Sequence, residues 1–153
     1  MENDNIVFVL VGGGVVKNRL IEKARELELK NVHFLPPVPK NSIPVLLSYM
    51  DVLYIGWNKQ PLYRFGISPN KLMDYMMASK PVIHASDAGN DLVTDSGCGI
   101  SVAPEDPRAI ADAVLHLFEM SQEERDAMGR KGSEYVKSHH DYAMLANEFL
   151  EGI

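Results

Sequence analysis

Five short runs rich in β-branched and aromatic residues alternate with segments of helical periodicity along the chain. The runs are NIVFVLV (5–11), NVHFL (31–35), VLYIGW (52–57), KPVIHAS (80–86) and GISVAP (99–104). Repeated alternation of this kind favours parallel strands joined by crossover helices. The sequence therefore predicts an α/β fold, with a doubly wound parallel sheet in a single domain over residues 1–153. Ligands of such sheets bind beyond the carboxyl ends of the strands.

Composition narrows the class of protein. The 153 residues are 46% hydrophobic, which is enough for one compact core, and the net charge of -6 disfavours nonspecific binding to nucleic acid. Cys98 is the single cysteine, so the chain forms no internal disulfide and suits a reducing compartment. No apolar run approaches the roughly 20 residues of a membrane-spanning helix. We expect a cytoplasmic domain that binds no nucleic acid.

The step SPNK (68–71) opens one of the predicted helices. Ser68 is a suitable N-cap, and Pro69 suits the first helical position. Asn70 and Lys71 then fall in the first turn, where free N–H groups and the helix dipole attract an anion and disfavour a lysine. Lys71 fits that position if a phosphate binds there. The alternative, a solvated lysine or one paired with Asp74, stays open.

Three other features are candidate ligand contacts. Asp74 lies one turn into the same helix, where a carboxylate can accept bonds from two vicinal ribose hydroxyls. The VGGG turn includes Gly13 and Gly14 and permits close approach of a ligand, although it is equally compatible with a turn that only needs positive φ. The proline-rich loop after the second run offers Val38 and Lys40 to a base edge, or acts as a stiff connector.

Metal and hydrolase motifs are missing from the sequence. The five histidines (His33, His84, His116, His139 and His140) show no metal-ligand spacing with acids or with Cys98. No Ser/His/Asp or Cys/His arrangement is legible, and no general base is evident. We therefore expect neither a cofactor nor a metal ion.

Together these motifs resemble the C-terminal, donor-binding domain of GT-B glycosyltransferases, most closely glycosyltransferase family 4. The matching segments, in family order, are VFVLVGGGVVKNRL, NVHFLPPVPKNSIPVLLSYMDVLYI, GISPNKLMDYMMASKPVI and GCGISVAPEDPRAIADAV. The closing MGRKGSEYVKSHHDYAMLANEFL is similar to the family's last helices. The resemblance implies a Rossmann-like sheet and a retaining transfer of sugar from a nucleotide diphosphate sugar, such as a UDP sugar, to an acceptor hydroxyl in polysaccharide or glycan biosynthesis.

The resemblance also implies roles for individual positions. Gly13 and Gly14 match the Gly-rich turn beside the donor, and the base lies near Val38 to Lys40. Ser68, Pro69, Asn70 and Lys71 match the step that meets the diphosphate, with Lys71 supplying the charge. Asp74 stands where the family usually has a glutamate for the ribose hydroxyls. Gly66 occupies the position of an acid that contacts the donor sugar in many members, so sugar recognition does not carry over.

The N-terminus departs from the family pattern, because the first βα unit of the donor domain and the acceptor domain have no counterpart in the sequence. We expect a fragment of a two-domain enzyme that is inactive alone, whose full protein is compatible with membrane association. The absent strand is central in the family's sheet. We therefore expect strands 6–11 and 51–55 to pair directly, or a second copy of the chain to cover the gap as a homodimer.

Two other functions compete with the transferase. A GT-B-type sugar-nucleotide epimerase binds a similar donor but needs acid and base side chains in its cleft, and the sequence offers no such cluster. A non-catalytic nucleotide-binding α/β module is the third possibility. A phosphoacceptor version of it needs paired acids after the first strand, where this chain has VGGG.

Overall fold

The computed structural model describes residues 3 and 5–151, without the side chain of Glu148. The chain divides into two compact units, Met1–Ile43 and Pro44–Ile153. The expectation of a single domain stays a prediction.

The first unit is a βαβ segment. It contains strand β1 (Phe8–Val11), helix α1 (Lys17–Glu26), strand β2 (Val32–Leu35) and a 3₁₀ turn (Lys40–Ser42). The strands pair in parallel, with Phe8 opposite Val32 and Val11 opposite Leu35. None of the described residues up to position 43 is fully buried, because two strands and one helix enclose little apolar volume.

The second unit is built on three parallel strands. Its strands are β3 (Leu53–Gly56), β4 (Val82–Ala85) and β5 (Gly99–Val102), in the order β3-β4-β5. Its helices are α2 (Ile43–Ser48), which begins at the last residue of the first unit, α3 (Asn70–Met77), α4 (Leu92–Ser96), α5 (Pro107–Glu119), α6 (Gln122–His139) and α7 (Tyr142–Glu151). A 3₁₀ turn (Pro61–Phe65) interrupts the loop between β3 and α3.

The core of the second unit lies on both faces of the sheet. On one face Val82 packs with Leu72 and Met76 of α3 and with residues of α4 and α6. On the other face Ile83 packs with Ala113 and Leu117 of α5. Successive residues of β4 therefore enter different apolar clusters, as the alternation of side chains along a strand requires. All four residues of β4 are buried, as is typical of a central parallel strand with both faces covered; three of them are apolar, and the fourth is His84.

Two helix starts in this unit follow from local sequence. The Asp106 carboxylate accepts the N–H groups of Arg108 and Ala109, and Pro107 takes the first helical position of α5. Ser121 and Glu124 form the capping box of α6, with bonds in both directions between side chain and backbone. Both helices therefore begin at residues whose own side chains cap them.

The α/β class with parallel strands is confirmed, but one predicted strand pairing is wrong. β1 pairs with β2 and β3 with β4, in two separate sheets, so the direct pairing of residues 6–11 with 51–55 is not formed. Each of those two strands is an edge of its own sheet. A second copy of the chain as a partner stays a prediction. Within residues 3 and 5–151, none of the helices is both long enough and apolar enough to cross a membrane.

Candidate functional site

The loop from β3 to α3 leaves the carboxyl end of the three-stranded sheet. The N–H of Trp57, directly after β3, donates to the Ala85 carbonyl at the end of β4 (3.0 Å). Because α3 connects two parallel strands, it starts at the carboxyl end of β3 and leads back to the start of β4. The start of α3 therefore belongs to the edge of the sheet where ligands of this fold class bind.

Helix α3 begins one residue later than the sequence predicts. Pro69 is the N-cap residue, with φ -79° and ψ 120°, and no side chain caps the helix. The prediction that Ser68 is the cap and Pro69 the first helical residue is wrong. An extended Pro69 leaves Asn70 and Lys71 as the first two helical residues, and the first N–H groups of a helix have no intrahelical acceptor.

The polar residues of α3 face solvent. Ser68, Asn70, Lys71 and Asp74 are exposed, whereas Leu72 and Met76 are fully buried in the core. The first turn is thus open to a ligand. We call residues 68–71 the α3 cradle.

Lys71 forms no ion pair with Asp74, the alternative that the sequence left open. Among the described residues, the one side-chain pair within salt-bridge distance is His84 and Asp91, at 3.2 Å. The Asp74 carboxylate instead acts on its neighbour Tyr75, whose hydroxyl pKa is raised, first by burial and second by that negative charge. Lys71 therefore carries its charge into solvent at the positive end of the helix.

Residues 64–66 precede the cradle. The Arg64 guanidinium lies 4.6 Å from the centre of the Phe65 ring, and this ring is 75% exposed. Gly66 has φ +101°, a backbone conformation that residues other than glycine rarely adopt. An aromatic ring and a cation therefore stand beside the position of the acid in the related family.

A second loop, residues 86–91 after β4, supports the first. The Asn90 side chain accepts the N–H of Ile67 (2.7 Å) and donates to the carbonyl of the same residue (2.9 Å). The N–H of Gly89 donates to the Tyr63 carbonyl (2.9 Å). Sequence reasoning missed Asn90, because no local pattern announces a bond between residues 23 positions apart.

Asp91 joins this supporting loop to the sheet and to α4. Its carboxylate caps α4 by accepting the N–H groups of Val93 and Thr94, and it lies 3.2 Å from Nδ1 of the buried His84. Burial alone would raise the pKa of Asp91, but the hydroxyls of Ser101 and Thr94, the His84 ring and the Thr94 N–H outweigh it, so this pKa is lowered. An aspartate directly before a helix such as Leu92–Ser96 is a recognisable N-cap signal, and it could have identified Asp91 from the sequence.

The first unit holds the other predicted contacts at the carboxyl ends of β1 and β2. Gly13 and Gly14 are exposed, Gly14 has φ +147°, and Gly13 lies beside Pro37 of the proline-rich loop. The Lys17 ammonium donates to the carbonyls of Gly12 and Leu35, both at 2.6 Å. Lys17, which the sequence analysis did not select, thus fastens the glycine turn to the end of β2.

The remaining two predicted residues belong to the loop after β2. Val38 is half-buried, and Lys40 is exposed at the start of the 3₁₀ turn. Of the ten predicted site residues, the first unit contains four (Gly13, Gly14, Val38 and Lys40) and the second unit six (Gly66, Ser68, Pro69, Asn70, Lys71 and Asp74). Among the described residues, no group of three or more His, Cys, Asp or Glu side chains is arranged to hold a metal ion.

The second unit also has a cleft of about 380 Å³ beside the carboxyl end of β3. Its lining includes Tyr54, Trp57 and Glu105 but no residue of the α3 cradle. This cleft is open to solvent and contains no cation. It is a poorer match than the α3 cradle for an anionic ligand.

Comparisons with known proteins agree with this fold. The family profile described as "Glycosyl transferases group 1" matches residues 1–135. The chain is 33% identical over 134 residues to the D-rhamnosyltransferase WbpZ of Pseudomonas aeruginosa strain PAO1, covering 85% of this chain and 33% of that protein. The chain thus spans about a third of the length of the curated relative that it matches.

Solved structures show the same fold at lower sequence identity. Sucrose-phosphate synthase of Thermosynechococcus elongatus matches with a TM-score of 0.79 and 21% identity over 94% of this chain and 36% of its own. HepE of Anabaena, solved in complex with UDP-glucose, matches with a TM-score of 0.79 and 17% identity over 98% of this chain and 41% of its own. The fold is that of the C-terminal Rossmann-like domains of GT-B glycosyltransferases. The chain belongs to the glycosyl transferases group 1 family.

Proposed function

We propose that residues 1–153 form the donor nucleotide-sugar-binding domain of a retaining glycosyltransferase that acts in surface polysaccharide or glycan biosynthesis. The observation that carries the proposal is Lys71, an exposed cation in the first turn of α3 that has no ion-pair partner among the described residues. The helix dipole disfavours a cation there by about 0.3–1 kcal/mol. When a diphosphate binds at the α3 cradle, its attraction for the Lys71 ammonium outweighs this unfavourable interaction with the dipole.

The cradle contributes to transfer mainly through electrostatics. As the bond between sugar and diphosphate breaks, negative charge grows on the departing phosphate oxygens. Fixed N–H groups of Asn70 and Lys71 and the Lys71 ammonium interact more strongly with that charge than with the intact donor, and such differential binding lowers the barrier. With these groups in place the reaction needs no metal ion, and neither a metal nor a cofactor is part of the proposal.

The ribose of the donor binds along α3. Asp74 is exposed one turn beyond Lys71, on the same side of the helix, and accepts bonds from the ribose hydroxyls. The residues Gly13, Gly14, Val38 and Lys40 of the first unit stay predicted donor contacts. UDP is the first nucleotide to test, because the similar HepE was solved with UDP-glucose.

Transfer itself is proposed for an intact two-domain enzyme, since the chain spans only about a third of its relative WbpZ. The acceptor domain binds the acceptor, whose hydroxyl receives the sugar, and supplies any acid or base. The epimerase alternative is not favoured, because His84, the described histidine that bonds to a carboxylate, is only 1% exposed.

Titration calorimetry of the purified chain with UDP, GDP and ADP tests the proposal. We expect one diphosphate to bind and the matching nucleoside to bind more weakly, because the cradle contacts only the phosphates. Asp74→Asn should weaken the diphosphate and the nucleoside equally, since both carry the ribose. Equal affinity for diphosphate and nucleoside, or no binding of any diphosphate, contradicts the proposed function.

A further inference from the structure

We propose that Asn90 is a positioning residue for donor binding, which holds the α3 cradle in its binding geometry through the backbone of Ile67. The proposal rests on the proposed function of the cradle. Among the described residues, the side chain of Asn90 forms no hydrogen bond with the cradle; its two bonds go to the N–H and the carbonyl of Ile67, directly before Ser68. A side-chain amide that satisfies both backbone groups of one residue fixes the orientation of both adjoining peptide planes.

The packing around this bond is as close as glycine permits. A Cβ atom on Gly66 would lie 3.2 Å from the Asn90 Oδ1 atom, and one on Gly89 would collide with the Arg64 carbonyl. The N–H groups of Gly66 and Gly89 both donate to the Tyr63 carbonyl, each at 2.9 Å. The loop before α3 and the loop after β4 thus touch backbone to backbone, and Asn90 closes the contact on the side of the cradle.

Asn90 is itself held from the core side. Its neighbour Asp91 bonds to the buried His84 of β4 and caps α4. Helix α4 is anchored by Val93, which is fully buried. We call the two bonds between the Asn90 side chain and the Ile67 backbone the clamp. The clamp therefore ties Ile67 to the rigid sheet, although the loop around Ile67 carries exposed residues on both sides.

The expected effect follows from preorganisation. Without the clamp, the backbone of Ile67 samples several conformations, and a ligand that needs the cradle must select one of them. Fixing one residue's backbone corresponds to about a tenfold change in affinity. Only ligands that contact the cradle feel this change.

Calorimetry with UDP and uridine tests the proposal on the wild type, Asn90→Ala and the control Asn58→Ala, which changes an exposed asparagine of the loop after β3. Asn90→Ala is expected to weaken UDP binding about tenfold. Uridine affinity should stay constant, and Asn58→Ala should bind both as the wild type does. Hydrogen exchange of the Ile67 amide should accelerate in Asn90→Ala, which shows that the clamp has opened.

A double-mutant cycle separates a positioning role from a general loss of stability. In a Lys71→Ala background the Asn90→Ala change should cost much less UDP affinity, because the group that Asn90 positions is gone. Should Asn90→Ala unfold the chain, the uncharged Asn90→Gln keeps both amide groups on a side chain one methylene longer, which displaces Ile67, and should show the same selective loss. Unchanged UDP affinity in a folded Asn90 variant, or additive losses in the cycle, overturns the role of Asn90 alone. A wild type that binds no diphosphate overturns the proposed function and this role with it.

Discussion

Replacing Lys71 by alanine should weaken diphosphate binding and, at the same time, stabilise the free protein. Both effects arise from one exposed charge in the first turn of α3, which pairs with no acidic side chain in the part of the chain that the structure describes. In the free protein this charge opposes the helix dipole. In the complex it faces the phosphates. The combination of a weaker complex and a more stable fold is the signature of a residue kept for binding.

The magnitudes follow from the position of Lys71. A unit charge about 4 Å from a phosphate charge gains about 1 kcal/mol in bulk water and about 4 kcal/mol near a protein surface. Because Lys71 is exposed, we take the lower part of that range, about 1–2 kcal/mol, which is about 5–30-fold in affinity. Removal of the cation from the helix start should raise the free energy of unfolding by about 0.3–1 kcal/mol.

Two measurements on the same variants check this prediction: calorimetric titration with the diphosphate, and urea denaturation without ligand. Lys137→Ala is the matched control, because Lys137 is an exposed lysine in the last turn of α6, where the dipole favours a cation. It changes the net charge equally. We expect Lys137→Ala to leave diphosphate affinity unchanged and to lower the free energy of unfolding by about 0.3–1 kcal/mol.

Three results refute the reasoning about Lys71. If Lys71→Ala binds the diphosphate as tightly as the wild type, the cradle is not the phosphate site. If it loses affinity for diphosphate and nucleoside in the same proportion, the substitution has damaged the whole site and Lys71 has no specific role at the phosphates. Equal losses for Lys71→Ala and Lys137→Ala would indicate that only the net charge matters.

Two further predictions concern the stability of the second unit. Gly129→Ala should lower the free energy of unfolding by about 1–3 kcal/mol. Although alanine is the better helix former, its Cβ would overlap the Ser79 carbonyl. Urea denaturation of Gly129→Ala and of the exposed-site control Arg130→Ala checks this, and a stabilised Gly129→Ala would show that α6 does not pack that closely. Asp91 has a pKa below its ordinary value of 3.8, so it stabilises the fold above pH 3.8 and loses that contribution as the pH falls through the lower folded value. Asp91→Asn keeps a good N-cap but cannot titrate, so its unfolding free energy should fall less steeply between pH 4 and pH 2 than that of the wild type; identical slopes would exclude this role.

The features that sequence predicts best are those whose cause is local. The starts of α5 and α6 depend on side chains within three residues of the helix, and Asp106 and Ser121 make the bonds that their sequence positions imply. The five strands occur within the predicted runs because short β-branched segments between helices leave few other arrangements. The order of elements, and the α/β class, follow from the same alternation.

The start of α3 shows where local reasoning fails. Ser68 and Pro69 carry a strong N-terminal signal, yet the helix begins at Asn70 with an extended Pro69. The ring of Pro69 disfavours the helical region for the residue before it, Ser68. Ser68 in turn follows Ile67, whose backbone is bound by Asn90. Helix propensities place the start of α3 at Pro69, one residue before the observed start. This shift coincides with the contact between Ile67 and Asn90, which lie 23 positions apart.

The candidate residues are also of two kinds: those that contact a ligand and those that hold the backbone in place. Lys71 and Asp74 are exposed, touch little else, and are recognisable in the sequence by their type and their place on a helix. Asn90 and Lys17 bond to backbone carbonyls and amides at the ends of strands or in the next loop, and nothing in their local sequence distinguishes them from solvated residues. A preorganised anion site needs both kinds of residue, because charges on mobile loops lose affinity to ordering. Substitution of Asn90 should therefore reduce affinity for every donor that uses the cradle, whereas substitutions of Lys71 and Asp74 should discriminate between phosphate and ribose.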